Sequence, residues 1–235
     1  MRMRVVASLL GVALVVAAGG LLVWNEPAVA QGGGTITGEV KVSGTPPAPK
    51  TVKVNKDTEV CGAEKKIVDV AVGPGNGLGN AVVSVTDAKG AKPAKKAVLD
   101  QKGCEFHPMV LVMAPGEVDI LNSDGVLHNI HTFSTANPAI NKAQPKFKKT
   151  MTEKFEKPEA IKIQCDAHSW MHGWILVTEN PAATTDDKGS FKLENVPPGK
   201  HKVEVWHPVL GKQSKEVEVK AGQEAKVSFE LAAKK

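Results

Sequence analysis

The stretch "QCDAHSWMHGW" (164–174) sets Cys165, His168, Met171 and His172 within eight positions. Thiolate, imidazole and thioether are soft donors, and their density here points to metal binding. Zinc uses Cys and His but has little use for a thioether, whereas copper accepts all three. The spacing is C-x2-H-x2-M, so one short loop can bring three side chains round a single point.

The elements around the loop must aim those side chains. In "EAIKIQC", Ile161, Ile163 and Cys165 share one face, because alternate side chains on a strand point the same way. Two isoleucines mark it as the core face, with Lys162 and Gln164 toward solvent. The strand therefore ends with its thiol inward. His168 and Met171 follow in the loop, Gly173 permits a turn, and "WILV" resumes a strand. Two histidines and a cysteine in a plane, with a long axial methionine, form the blue-copper arrangement. The second histidine must come from elsewhere. "SDGVLHNIH" (123–131) offers His128 and His131, which face opposite sides of a strand. His128 follows the turn directly and is the better candidate. Asn129 beside it is placed to hydrogen-bond the Cys165 loop.

Beyond residue 31 no amphipathic helix of convincing length occurs. Short alternating runs such as "TITGEVKVSG", "SFKLENV" and "KEVEVKAGQEAKVSFEL", broken by Gly, Pro, Asn and Asp, predict an all-β protein built of sandwiches. "GPGNGLGN" (73–80) lacks the G-x-G-x-x-G spacing and reads as a turn, not a phosphate cradle. "AKGAKPAKKA" (88–97) reads as a linker, and residues 142–158 as a Lys-rich connection. The first and last sections share a composition that would let them pack together.

Composition removes several functions. Aromatics are 4% of the 235 residues and Tyr is absent, which argues against aromatic stacking surfaces for sugars or bases. The formal charge is +5, yet Arg2 and Arg4 are the arginines of the chain. A body with lysine alone lacks the bidentate fork that reads phosphate or guanine, so its charge reads as a solvated surface and no nucleic acid is expected.

Residues 1–30 carry Arg2 and Arg4, an apolar run over 5–24, and "AVA" at 28–30, the pattern of a cleaved signal peptide. The run is also long enough for an N-terminal anchor. Either reading exports the remainder to the periplasm or the outer face of the cytoplasmic membrane, with membrane contact only through an uncleaved segment. In such a compartment two of three cysteines usually pair. Cys165 sits among His and Met, so the natural pair is Cys61 with Cys104, closing a loop worth about 4 kcal/mol. The alternative is two separate buried thiols.

"CEFHPMVLVMAPGEVDILN", "VLHNI" and "CDAHSWM" resemble a cupredoxin of the plastocyanin type, over roughly 95–180. The ligand loop is similar to the short loop of amicyanin. The resemblance implies a Greek-key sandwich and one copper ion held by His128, Cys165, His168 and Met171. "TTDDKGSFKLENVPPGKHKVEVWH" resembles, more weakly, a carboxypeptidase regulatory-like (prealbumin-like) β-domain. The expected organisation is 1–30 signal or anchor, 31–94 an N-terminal β section, 95–180 a cupredoxin domain and 181–235 a second small β-domain.

His172 directly follows Met171 and could compete as axial ligand, and His131 is a second possible alternative. His107 and His131 otherwise read as surface or core-edge residues, His201 and His207 as structural, and Met109 and Met113 as core. The resemblance implies a one-electron carrier between redox proteins such as cytochromes or dehydrogenases, with His168 at the surface and an apolar rim of Trp170 and Met171 as the electron port. Lys142, Lys146, Lys148, Lys149, Lys154 and Lys157 could steer an acidic partner. A copper carrier or buffer, and a structural β-protein with a vestigial site, are the rivals. An enzyme is not expected: oxidase-type copper clusters need H-x-H pairs, and the seven histidines include none.

Overall fold

The structure is a computed structural model that describes residues 32–88 and 96–233. The expected signal or anchor, residues 1–30, and the expected boundary at 94 lie outside the described residues. Among the described residues no helix is long and apolar enough to cross a membrane.

The protein is all-β, in two sandwiches with separate cores. The first joins the two ends of the described chain. Strand Gly34–Ser43 pairs antiparallel with Ser190–Val196 and parallel with Glu224–Lys226 and Phe229–Ala232. The second sheet of this sandwich has the order Ala182–Thr184, Val82–Val85, Gly199–His207, Gly211–Val219. Ile36, Val40, Val83, Val85, Phe191, Val203, Val205 and Phe229 fill its core. Alternation puts Ile36, Val40 and Val42 inward as the period-two pattern requires.

The first and last sections pack together, as their shared composition allowed, so their strands form one sandwich and not two separate sections. Strands Gly34–Ser43 and Val82–Val85 complete the sandwich of residues 182–232. A solitary sheet from either section would leave one apolar face uncovered, and each covers the other.

The second sandwich holds the soft-donor loop. One sheet has the order Asn141–Gln144, His128–Phe133, Glu159–Gln164, His172–Val177, Val110–Met113. The facing sheet has the order Thr150–Phe155, Gly116–Asn122, Ala97–Lys102, Glu105–His107. Leu99, Val118, Ile120, Ile130, Phe155, Ile161, Ile163 and Ile175 pack between them. The Lys-rich connection is therefore corrected, since 142–158 contains strand residues on both sides of a turn. Met151 and Phe155 point inward while Thr150, Thr152 and Lys154 face out, and the lysines that precede Thr150 in the sequence masked this alternation.

A hairpin of Lys50–Lys53 and Glu64–Ile67 rises from the first section and lies on this second core. One helical turn, Thr58–Cys61, connects its strands, and Val54 and Cys61 are buried in the second core. Cys61 is disulfide-bonded to Cys104, leaving Cys165 as the free cysteine among the described residues. Gly173 lies inside strand His172–Val177 rather than at a turn. A Cβ there would stand 2.8 Å from the Met109 carbonyl oxygen, so glycine lets the strand lie close to its neighbour.

Candidate metal centre

Strand Glu159–Gln164 delivers Cys165 as parity requires: Ile161 and Ile163 are fully buried and Cys165 is buried just beyond them. The loop then closes on itself. The Met171 N–H donates to the His168 carbonyl at 2.9 Å, and the Cys165 N–H donates to the Met171 carbonyl at 3.1 Å. Cys165, His168 and Met171 are all buried.

His128 opens strand His128–Phe133 and is fully buried. Its Nδ1 lies 3.1 Å from Nδ1 of His168, and that same His168 nitrogen lies 3.8 Å from Cys165 Sγ. Two nitrogens and a sulfur thus converge, all three within 4.8 Å of one another. The other imidazole nitrogens face carboxylates: His128 Nε2 is 2.8 Å from Asp124 Oδ2, and His168 Nε2 is 2.9 Å from Asp57 Oδ2. A carboxylate at Nε2 holds the proton there and leaves the Nδ1 lone pair free to bind a metal.

The donors fit a transition metal. Metal–nitrogen bonds of about 2.0–2.1 Å suit two nitrogens at this spacing, and thiolate with imidazole suits copper or zinc. Burial pushes the Cys165 thiol up, against backbone N–H groups that favour the thiolate. Burial also pulls His128 down, helped by neighbouring His168 and opposed by Asp124, so its ring stays neutral and able to ligate. Cys61 and Cys104 also lie within 4.8 Å of a His168 nitrogen, but as a disulfide they offer no thiolate.

Asn129 is tied to the loop. Its Oδ1 accepts from the Asp166 N–H at 2.7 Å, and its Nδ2 donates to Asn141 Oδ1. His131 faces the other way, 3.0 Å from Asp166 and stacked on Phe133. His172 is half-buried and turned from the centre. Its Nδ1 meets the Trp170 carbonyl at 3.1 Å, and its Nε2 stands 3.2 Å from Asp69 without a hydrogen bond. His107 is exposed on strand Glu105–His107. His207 is buried, and its Nδ1 accepts from the Val209 and Leu210 N–H groups, a turn cap in the first sandwich. Met113 is core, while Met109 is half-buried and receives a weak contact from Asn80 Nδ2.

The surface port at His168 is corrected. His168 has no exposed surface, and Trp170 and Met171 are buried. Asp57 and the helical turn behind it cover this end, and Trp170 Nε1 donates to the Cys104 carbonyl at 3.2 Å. Sequence reasoning missed Asp57 and Asp124. Asp124 lies four residues before His128 and was visible as a nearby acid. Asp57 is 111 positions from His168 and left no local signal.

Residues 175–232 match the carboxypeptidase regulatory-like domain family, about a quarter of the chain. No curated protein matches. Among solved structures, the chain is similar to a purple cupredoxin from Nitrosopumilus maritimus at 22% identity and a TM-score of 0.31, covering 35% of this chain and all of that one. It is similar to an amicyanin variant in the Cu(I) form at 16% identity and a TM-score of 0.33, covering 41% of this chain and 98% of that one. A copper-containing nitrite reductase from Thermus scotoductus shows 24% identity and a TM-score of 0.31 over 40% of this chain and 24% of its own.

Proposed function

We propose that this is an exported one-electron carrier with a type 1 copper site. His128, Cys165 and His168 would hold one copper ion, with Met171 as a fourth donor. The observation that carries the reading is the convergence of both Nδ1 atoms and the Cys165 sulfur in a buried site, each far nitrogen pinned by a carboxylate. When bound there, copper supplies a single electron as Cu(I) and Cu(II) interconvert.

The chain's own residues favour a shuttle over a copper carrier. Metal exchange needs an open site, and this one is sealed by Asp57 and the Cys61–Cys104 disulfide. Rigid imidazoles keep ligand positions similar in both oxidation states, which lowers the rearrangement that electron transfer requires. The seal also moves the docking face away from His168. Gln144 stands opposite His128 across neighbouring strands, and the turn after it carries Phe147, 81% exposed. Lys146, Lys148 and Lys149 flank Phe147 in the sequence, so an acidic redox partner fits this side. Lys142 and Lys154 are paired with Glu153 and Glu156, so their charges are already answered.

Addition of Cu(II) to the purified protein tests the reading. An intense visible band from sulfur-to-copper charge transfer, lost in Cys165→Ser, supports it. A colourless protein that prefers zinc overturns it.

A further inference from the structure

We propose that Asp57 and Asp124, tied together through the Cys61–Cys104 disulfide, are positioning residues that aim the two ligand imidazoles and close the metal site. The inference rests on the copper reading for its purpose, but the clamp itself is a property of the chain.

The two carboxylates belong to different parts of the protein and meet at one disulfide. Asp124 Oδ1 accepts from the Gly103 N–H at 2.5 Å, and its Oδ2 accepts from the Cys104 N–H at 2.7 Å. That same Oδ2 meets His128 Nε2. Asp124 is thus held by the backbone on the Cys104 side of the disulfide. Asp57 is held on the Cys61 side, where its carbonyl accepts from the Val60 and Cys61 N–H groups at 3.0 and 2.8 Å. Its own backbone is left-handed at φ 53°, a conformation that Asp, Asn and Gly tolerate and most residues resist. The carboxylate is thereby turned back onto His168 Nε2.

The second core would lose little by omitting Asp57, which is 28% exposed at the side chain. Its geometry makes sense as a lid. It places a part-exposed carboxylate over a fully buried imidazole, and the disulfide anchors the turn that carries it. Cys104 adds a third tie through its carbonyl, which receives Trp170 Nε1 from the ligand loop itself. One disulfide therefore fixes both histidines and the loop between Cys165 and Met171. Partners behind ligand histidines are worth roughly 10–100-fold in metal affinity.

Three carboxylate variants of the full protein, and the Cys61→Ser/Cys104→Ser pair, test this. Asp57→Gly removes the lid without straining the backbone, Asp57→Asn keeps its shape without its charge, and Asp124→Asn does the same behind His128. In the metal-free protein, imidazole nitrogen NMR should show slowly exchanging Nε2 protons on His128 and His168. Asp57→Gly should expose the His168 proton to exchange and leave the His128 proton protected. In the copper-loaded protein, Asp57→Gly and the Cys61→Ser/Cys104→Ser pair should lose metal to a chelator at least about tenfold faster. Asp57→Asn should raise the reduction potential, because a negative charge beside the site favours Cu(II). A folded Asp57→Gly with a protected His168 proton and unchanged metal loss overturns the clamp. If the wild type takes no copper, the copper reading fails, and the proton exchange experiment still decides the clamp.

Discussion

The imidazoles of His128 and His168 face each other with Nδ1 atoms 3.1 Å apart, in a site neither reaches from solvent. Two lone pairs at that distance repel unless a cation lies between them. The fold brings them together from strands and loops 40 positions apart, an arrangement that a proton or a metal ion between the two nitrogens would relieve.

Metal binding should therefore depend on pH. The Cys165 thiol is raised by burial, so it is protonated in the metal-free protein at neutral pH and must lose that proton to ligate. Apparent copper affinity should rise about tenfold per pH unit near pH 7, by release of one proton. Competition titrations at several pH values measure this. A flat profile would show that the thiol does not ligate.

The disulfide should contribute to stability apart from the metal. It closes a separation of 43 residues, and its removal in Cys61→Ser/Cys104→Ser should cost about 2–5 kcal/mol in denaturant unfolding of the metal-free protein.

The first sandwich should carry its own pH signature at His207. Burial lowers its pKa to about 4 from an ordinary 6.5. Between those values the unfolded chain binds the proton and the folded chain does not, so stability falls as pH drops from about 6.5 to about 4 and changes no further below. The full loss is about 3 kcal/mol. A variant such as His207→Asn, which keeps an acceptor for the Val209 and Leu210 N–H groups, should be less sensitive across that window. Urea midpoints at pH 7 and pH 4.5 compare the two.

Phe147 should matter for docking and not for folding. It is 81% exposed, so Phe147→Ser should change stability by less than about 0.5 kcal/mol. Paired with Lys146→Glu and Lys148→Glu, it should slow electron exchange with anionic reagents and weaken the dependence of that rate on salt. Equal rates for wild type and variant would place the docking face elsewhere.

Strand parity alone turned Cys165 inward, since Ile161 and Ile163 needed the core, and short spacing put His168 and Met171 in the same loop. The all-β class was legible in alternation, and the odd cysteine was legible in its company. These are local properties, set by neighbours a few residues away. Three other features were decided only by the tertiary structure. Strand Gly34–Ser43 closes the sheet of the C-terminal section, Thr150, Thr152 and Lys154 form the outer face of strand Thr150–Phe155, and Asp57 reaches His168 across 111 positions. Local periodicity carries no record of which distant surface an apolar face or a carboxylate will meet. The burial of His168 followed from such a contact, and it closed the surface port expected there.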